Sequence, residues 1–243
     1  MGAWISYGLG SENENLPSFI TIHPPGDVRN YGSAFLPAAH QGTPLKVPAK
    51  KGESAVKYLE DPTTEPVAQR RRLDFLQRMN QRLMNRVEAD AQMEGIIESF
   101  ELAFRMQNEL PSVMDLSVET QEMIDMYGIG DGKPSDSFGR QCLLARRMIE
   151  AGVRHVEVCD EFWDQHKKLK QGHEARAAAT DQPIGALLTD LKQRGLLDDT
   201  LVVFGGEFGR TSFCQGELTR TDYGRDHHPR CFTTWMAGGG IRG

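Results

Sequence analysis

Apolar residues recur along this chain in two distinct rhythms. From about Pro66 to Glu109 they step by three and four, through Leu73, Leu76, Met79, Leu83, Val87, Ile96, Phe100 and Phe104, with charges between. That spacing predicts an amphipathic helical stretch whose stripe is core, stopped by Pro111. A short helix is expected near 117–126. Another is expected over roughly 137–151, capped by Asp136 or Ser137 and ended by Gly152, and a further one from about Glu174 to Gly195. The other rhythm is short and strand-like: "SFITIH" (18–23), "VRHVEVC" (153–159), "TLVVFGG" (200–206) and "CFTTWMAGG" (231–239). The unbroken apolar run at 200–206 reads as a buried parallel strand. Strand, helix and strand between 153 and 206 predict a βαβ unit, hence an α/β fold with a largely parallel sheet and helices on its faces.

Three stretches follow from this pattern. Residues 24–64, rich in Pro, Gly and Lys, read as an irregular surface excursion; 66–150 as a helical segment; 153–243 as the βαβ part. The Gly-rich opening "MGAWISYGLGSENENLP" has no element before it, and "FTTWMAGGGIRG" ends on a glycine turn. Both ends are expected to be cuts inside a larger fold, leaving it incomplete on either side.

Composition narrows the partners more than the fold. With 243 residues, 39% apolar and 26% charged, the chain is ordinary for a globular protein. A net charge of -6 gives no electrostatic reason to expect nucleic acid or an anionic membrane surface. No apolar run approaches the ~20 residues of a membrane span, and no charged-then-apolar signal opens the chain. Cys142, Cys159, Cys214 and Cys231 show no C-x-x-C spacing, and the first two are expected to be buried.

The chemistry gathers in three polar knots. "DEFWDQH" follows the strand at 153–159, "GEFGRT" follows the strand at 200–206, and "GRDHHP" precedes the strand at 231–239. Ligands of open α/β sheets bind beyond the carboxyl ends of the strands, so Asp160, Asp164, His166 and Glu207 are expected at one edge of one sheet. Carboxylate oxygen and neutral imidazole nitrogen suit Zn²⁺, Mn²⁺ or Fe. Asp164 and His166, two apart, point the same way if extended, whereas His227 and His228 point oppositely. One of that pair is expected to bind metal and the other to hold a neighbour or meet substrate. Arg210 and Arg225 have the fork that matches phosphate or sulfate oxygens. Asp, His and Gly are also common in loops for turn reasons alone, which leaves a purely structural reading of each knot open. His155 is expected to be a packed core histidine and His173 to belong to a helix start; His23 and His40 have no supporting ligands nearby in sequence. "GLGSEN" (8–13) lacks the strand and helix that would frame a phosphate loop.

Taken together, "MGAWISYGLGSENENLP", "FGRQCLLARRMIEAGVRHVEV", "WDQH", "DQPIGALLTDLKQRGLLDDTLVVFGGEFGRT" and "GRDHHP…WMAGGG" resemble the domain-of-unknown-function 1501 family across nearly the whole chain. That family is often labelled sulfatase-like and is similar to the alkaline phosphatase superfamily. The resemblance implies an alkaline-phosphatase-like α/β/α sandwich and a metal site that hydrolyses small-molecule or polysaccharide sulfate or phosphate esters. The divalent ion would be Zn, Mn, Fe, Ca or Mg. By resemblance, Asp164 and His166 look like one Asp/His ligand pair, Glu207 stands where the superfamily places a further ligand, and His227 or His228 resembles its later histidine. Arg210 or Arg225 would add charge stabilisation in the transition state. Glu207-Phe208 replaces the superfamily's Asp-His, and the first-strand Asp and the Ser/Thr nucleophile are expected upstream of Met1, so this stretch alone is expected to be nearly inactive. Full-length relatives imply a periplasmic or exported protein. A different class remains as the alternative: an exported, non-catalytic binding or scaffold protein that kept the fold.

Overall fold

A computed structural model describes residues 1–47, 59, 63–84 and 91–242. The chain divides into two compact units, Met1–Val118 with Arg147–Cys159, and Glu119–Arg146 with Asp160–Gly243.

The first unit is built on a three-stranded parallel sheet. Its middle strand β1 (Phe19–Ile22) lies between β2 (Thr43–Leu45) and β3 (His155–Val158). All four residues of β1 are at most 2% exposed, as a strand covered on both faces requires. β2 falls inside the stretch read as irregular; residues 48–58 and 60–62 of that stretch lie outside the described residues. Helix α1 (Gly2–Leu9) packs on β1 and β3, where the sequence showed only a glycine-rich opening. Gly2 is what lets it approach: a Cβ there would lie 2.6 Å from the rings of both Phe19 and His155. Gly10, at φ 65, ends the helix. Ser6, buried on this helix, places its Oγ 3.0 Å from Nδ1 of His40.

His155 is the packed histidine expected, its ring 5.1 Å from that of Phe19. Burial is the main cause that holds its pKa below the usual value. Below about pH 6.5 the unfolded chain therefore binds more protons here than the folded one, so stability falls as pH falls. The midpoint of urea unfolding is expected to drop between pH 7.5 and 5.5. His155→Leu should flatten that dependence; an unchanged slope would remove His155 as its source.

Two long helices complete the first unit. Helix α2 (Pro66–Met84) packs on α3 (Ala91–Met114). Arg70 of α2 meets the Glu101 carboxylate through both terminal nitrogens at 2.7 Å and lies over the Phe104 ring. The expected continuous core stripe is corrected here. Leu76, Met79 and Phe100 are each about half exposed, and among the described apolar side chains of α2 and α3 the buried ones are Met106, Leu110 and Val113 near the end of α3; the Leu83 and Ile96 side chains lie outside the described residues. Periodicity marks an amphipathic face but not whether anything covers it. Val87 lies outside the described residues. Pro111 does not stop α3 either. The helix runs three residues further, where the Arg147 guanidinium donates to the carbonyls of Val113 (2.7 Å) and Ser112 (2.9 Å) and satisfies that end.

The second unit holds α4 (Gln121–Met126), most of α5 (Asp136–Glu150) and α6 (Leu169–Gln193). These helices are tied by a buried ionic cluster. Arg146 of α5, 2% exposed, pairs with Glu119 (2.8 Å) and with Asp190 of α6 (2.8 Å). Asp190 also accepts from the Tyr127 hydroxyl at 3.0 Å and from Arg194 at 2.7 Å. Burial, then the Asp190 carboxylate, push the Tyr127 phenol upward, so it stays a donor.

The strands of this unit correct the βαβ expectation. β4 (Val202–Gly205) pairs antiparallel with β7 (Thr234–Ala237), and β5 (Gly209–Arg210) pairs antiparallel with β6 (His227–His228). The strands at 153–159 and 200–206 therefore do not share one sheet among the described residues. β4 is not buried either: Val203 is 50% and Phe204 41% exposed. An apolar run encodes a wish for burial but not a partner; here Phe204 stacks on Trp235 directly across the ribbon, ring centroids 5.4 Å apart. All four cysteines are free; Cys142 is buried and Cys159 only half-buried. Burial raises the pKa of the Cys142 thiol, which makes it a poor nucleophile. No helix among the described residues is long and apolar enough to cross a membrane.

Candidate metal centre

The site is assembled by the β5–β6 ribbon and the loop that carries "WDQH". In the ribbon Arg210 stands directly opposite His227, and Gly209 opposite His228. Facing residues of an antiparallel pair share a face, so Arg210 and His227 project together while His228 projects away from them.

The other loop is laced to the segment that precedes β6. The Leu169 N–H donates to the Tyr223 carbonyl (2.9 Å), the Lys168 N–H to the Asp222 carboxylate (2.8 Å), and the Arg225 N–H to the Gln165 carbonyl (3.3 Å). Gly224 lies flat against His166: a Cβ there would sit 2.0 Å from the His166 carbonyl carbon. Phe162 at φ 71 and Lys168 at φ 50 mark where this loop turns back. The Phe162 carbonyl accepts from the Gln165 side chain, and the Arg176 guanidinium lies 5.9 Å from its ring.

Three of the expected ligands converge. Oδ1 of Asp164 is 2.7 Å from Nε2 of His166 and 3.3 Å from Nε2 of His227, and the two imidazole nitrogens are 3.1 Å apart. These atoms form one candidate group among the described residues. A point equidistant from all three lies about 1.8 Å from each in their plane, and about 1 Å out of that plane the distance becomes the ~2.0–2.1 Å of Zn–N and Zn–O bonds. The donor set and its spacing therefore fit a divalent ion with open coordination positions. Two imidazoles among three ligands favour Zn, Mn or Fe over the oxygen-seeking Ca and Mg.

The remaining sequence candidates take other places. Glu207 stands behind the group, its Oε1 2.6 Å from Nδ1 of His227. That contact is close but not aligned as a hydrogen bond, so Glu207 acts on the ring as a neighbouring negative charge. Phe208 lies edge-on to the same ring at 5.4 Å, fixing its tilt. Asp160 is used by the loop itself, accepting from the Trp163 indole at 2.8 Å and lying 3.7 Å from Arg176. His228 is exposed and outside the group; its Nδ1 accepts from the Arg230 N–H at 3.3 Å. His173 sits one turn into α6, edge-on to Trp163. Arg225 is exposed and contributes its backbone, whose carbonyl accepts from Arg210 at 3.2 Å.

Arg210 holds the position the sequence did not disclose. Its guanidinium contacts Oδ1 of Asp164, the same oxygen the two histidines face, and a second nitrogen lies 3.4 Å from Nε2 of His166. That contact, more than the nearby histidines, keeps the Asp164 carboxyl below the usual carboxylate range.

The family profile described as "Protein of unknown function (DUF1501)" matches residues 1–243. The chain belongs to the DUF1501 family. No curated protein and no solved structure matches it. Within this DUF1501 chain the segments "GEFGRT" and "GRDHHP" supply the two strands of the β5–β6 ribbon together with Glu207, Arg210, Gly224 and His227. Their small and charged residues are accounted for by one local structure.

Proposed function

We propose that this chain carries the metal centre of a hydrolase of sulfate or phosphate esters, with Asp164, His166 and His227 as ligands. The convergence of two Nε2 atoms and one carboxylate oxygen within 3.3 Å of each other carries this reading. An ion bound there would supply Lewis-acid polarisation of an ester oxygen. The protein's own part is to hold the ligands. Glu207 and Phe208 orient His227, the Gly224 contact places His166, and the exposed Arg225 guanidinium lies free for an anionic ester. An alkaline-phosphatase-like fold and an exported location belong to the same proposal.

A second reading has its own observation. The Arg210 guanidinium already answers the charge of Asp164, as it would in a binding or scaffold protein that needs no metal. Metal content by mass spectrometry, after incubation with Zn²⁺, Mn²⁺ or Fe²⁺ and desalting, separates the two. One ion per chain is expected in the wild type and none in the His166→Ala, His227→Ala double variant. Metal that survives in the variant, or none in the wild type, sinks the first reading. A wild type that takes up no ion, with Arg210 left on Asp164, favours the second.

A further inference from the structure

We infer that Arg210 is an exchange residue: it and a divalent ion compete for the same oxygen of Asp164, and an anionic ester that draws Arg210 away hands that oxygen to the metal. This rests on the metal-centre reading and goes beyond it, because it makes metal and anion binding mutually dependent.

The geometry leaves little room for a neutral arrangement. Oδ1 of Asp164 serves His166 at 2.7 Å and His227 at 3.3 Å, and the same atom is in contact with the guanidinium. Two cations sharing one oxygen repel at a few ångströms, where screening by water is weakest. The guanidinium is moreover 3.4 Å from Nε2 of His166, the nitrogen a metal would use. It therefore stands in the approach to two of the three ligands.

Arg210 is also free to leave. Its backbone is pinned opposite His227 in the ribbon, but apart from Asp164 and His166 its side chain is held by the Arg225 carbonyl at 3.2 Å. A tetrahedral oxyanion offers the guanidinium two parallel charge-assisted bonds, a better match than a carboxylate oxygen already shared with two imidazoles. Moving the guanidinium to the anion uncovers Oδ1 beside the place where the anion sits. By linkage, the factor by which the anion tightens metal binding equals the factor by which metal tightens anion binding.

The test is a competition titration with a chromophoric zinc chelator, with and without sulfate, on the wild type, Arg210→Met and Arg210→Lys. Saturating sulfate is expected to tighten Zn²⁺ binding to the wild type by about tenfold or more. Arg210→Met should bind Zn²⁺ about tenfold tighter without sulfate and lose the sulfate effect, and Arg210→Lys should fall between. Equal zinc affinity in wild type and Arg210→Met, or a sulfate effect that persists in Arg210→Met, overturns the exchange while leaving the metal centre standing. Zinc binding by none of the three overturns both. A wild type whose zinc affinity does not change with sulfate overturns the exchange even if a substitution unfolds.

Discussion

Asp190→Ala is expected to destabilise the second unit by about 3–5 kcal/mol, the cost of stranding a buried charge. The Arg146 side chain, 2% exposed, would lose the carboxylate at 2.8 Å while Glu119 stays at 2.8 Å. Tyr127 would lose the acceptor of its buried hydroxyl as well. Urea unfolding followed by helical circular dichroism measures the loss. A control isolates the cause: Tyr127→Phe removes one hydrogen bond and should cost only about 1 kcal/mol. A small loss in Asp190→Ala would mean that water reaches Arg146 readily and that the cluster is not sealed.

The second large effect falls on the candidate metal centre without touching any of its three candidate ligands. Gly224→Ala places a methyl 2.0–2.6 Å from the His166 backbone, against atoms that cannot rotate aside. The segment before β6 must then lift, at about 1–3 kcal/mol for overpacking. Because this segment leads into His227, the lift separates the ligands. Metal affinity is expected to fall by about 10–100-fold, the range for losing an orienting contact, with thermal unfolding still cooperative. Zinc titration of Gly224→Ala beside the wild type measures it; unchanged affinity would show that the His166–His227 spacing does not depend on this contact.

Much of the centre was legible before the fold. Asp164 and His166 were readable as a pair because a two-residue step suits an extended loop, and His227 and His228 were readable as pointing apart because a strand alternates. What could not be read was pairing. Nothing in "TLVVFGG" says that its partner is the later "CFTTWMAGG" and not the earlier "VRHVEVC", since all three satisfy the same preference for burial. The knots converge even so, through the β5–β6 ribbon and the loop lacing and not through a shared parallel sheet. Arg146 was missed for a related reason. An arginine between apolar residues of a helix looks like a snorkelling surface charge until its carboxylate partners, 27 and 44 positions away, are known. Helix α1 escaped because its glycines argue against a helix in isolation, while one of them, Gly2, is what lets it sit against Phe19 and His155.

One carboxylate oxygen, Oδ1 of Asp164, answers three nitrogen-bearing side chains at once. The energies of those contacts consequently belong to the set and cannot be divided among the pairs. Removing any single partner lets the other two tighten, so single substitutions will each understate the whole and their sum will not equal the triple. Whatever free energy the cluster holds is a property of Asp164's company as a group, and only cycles that vary two partners together can assign it.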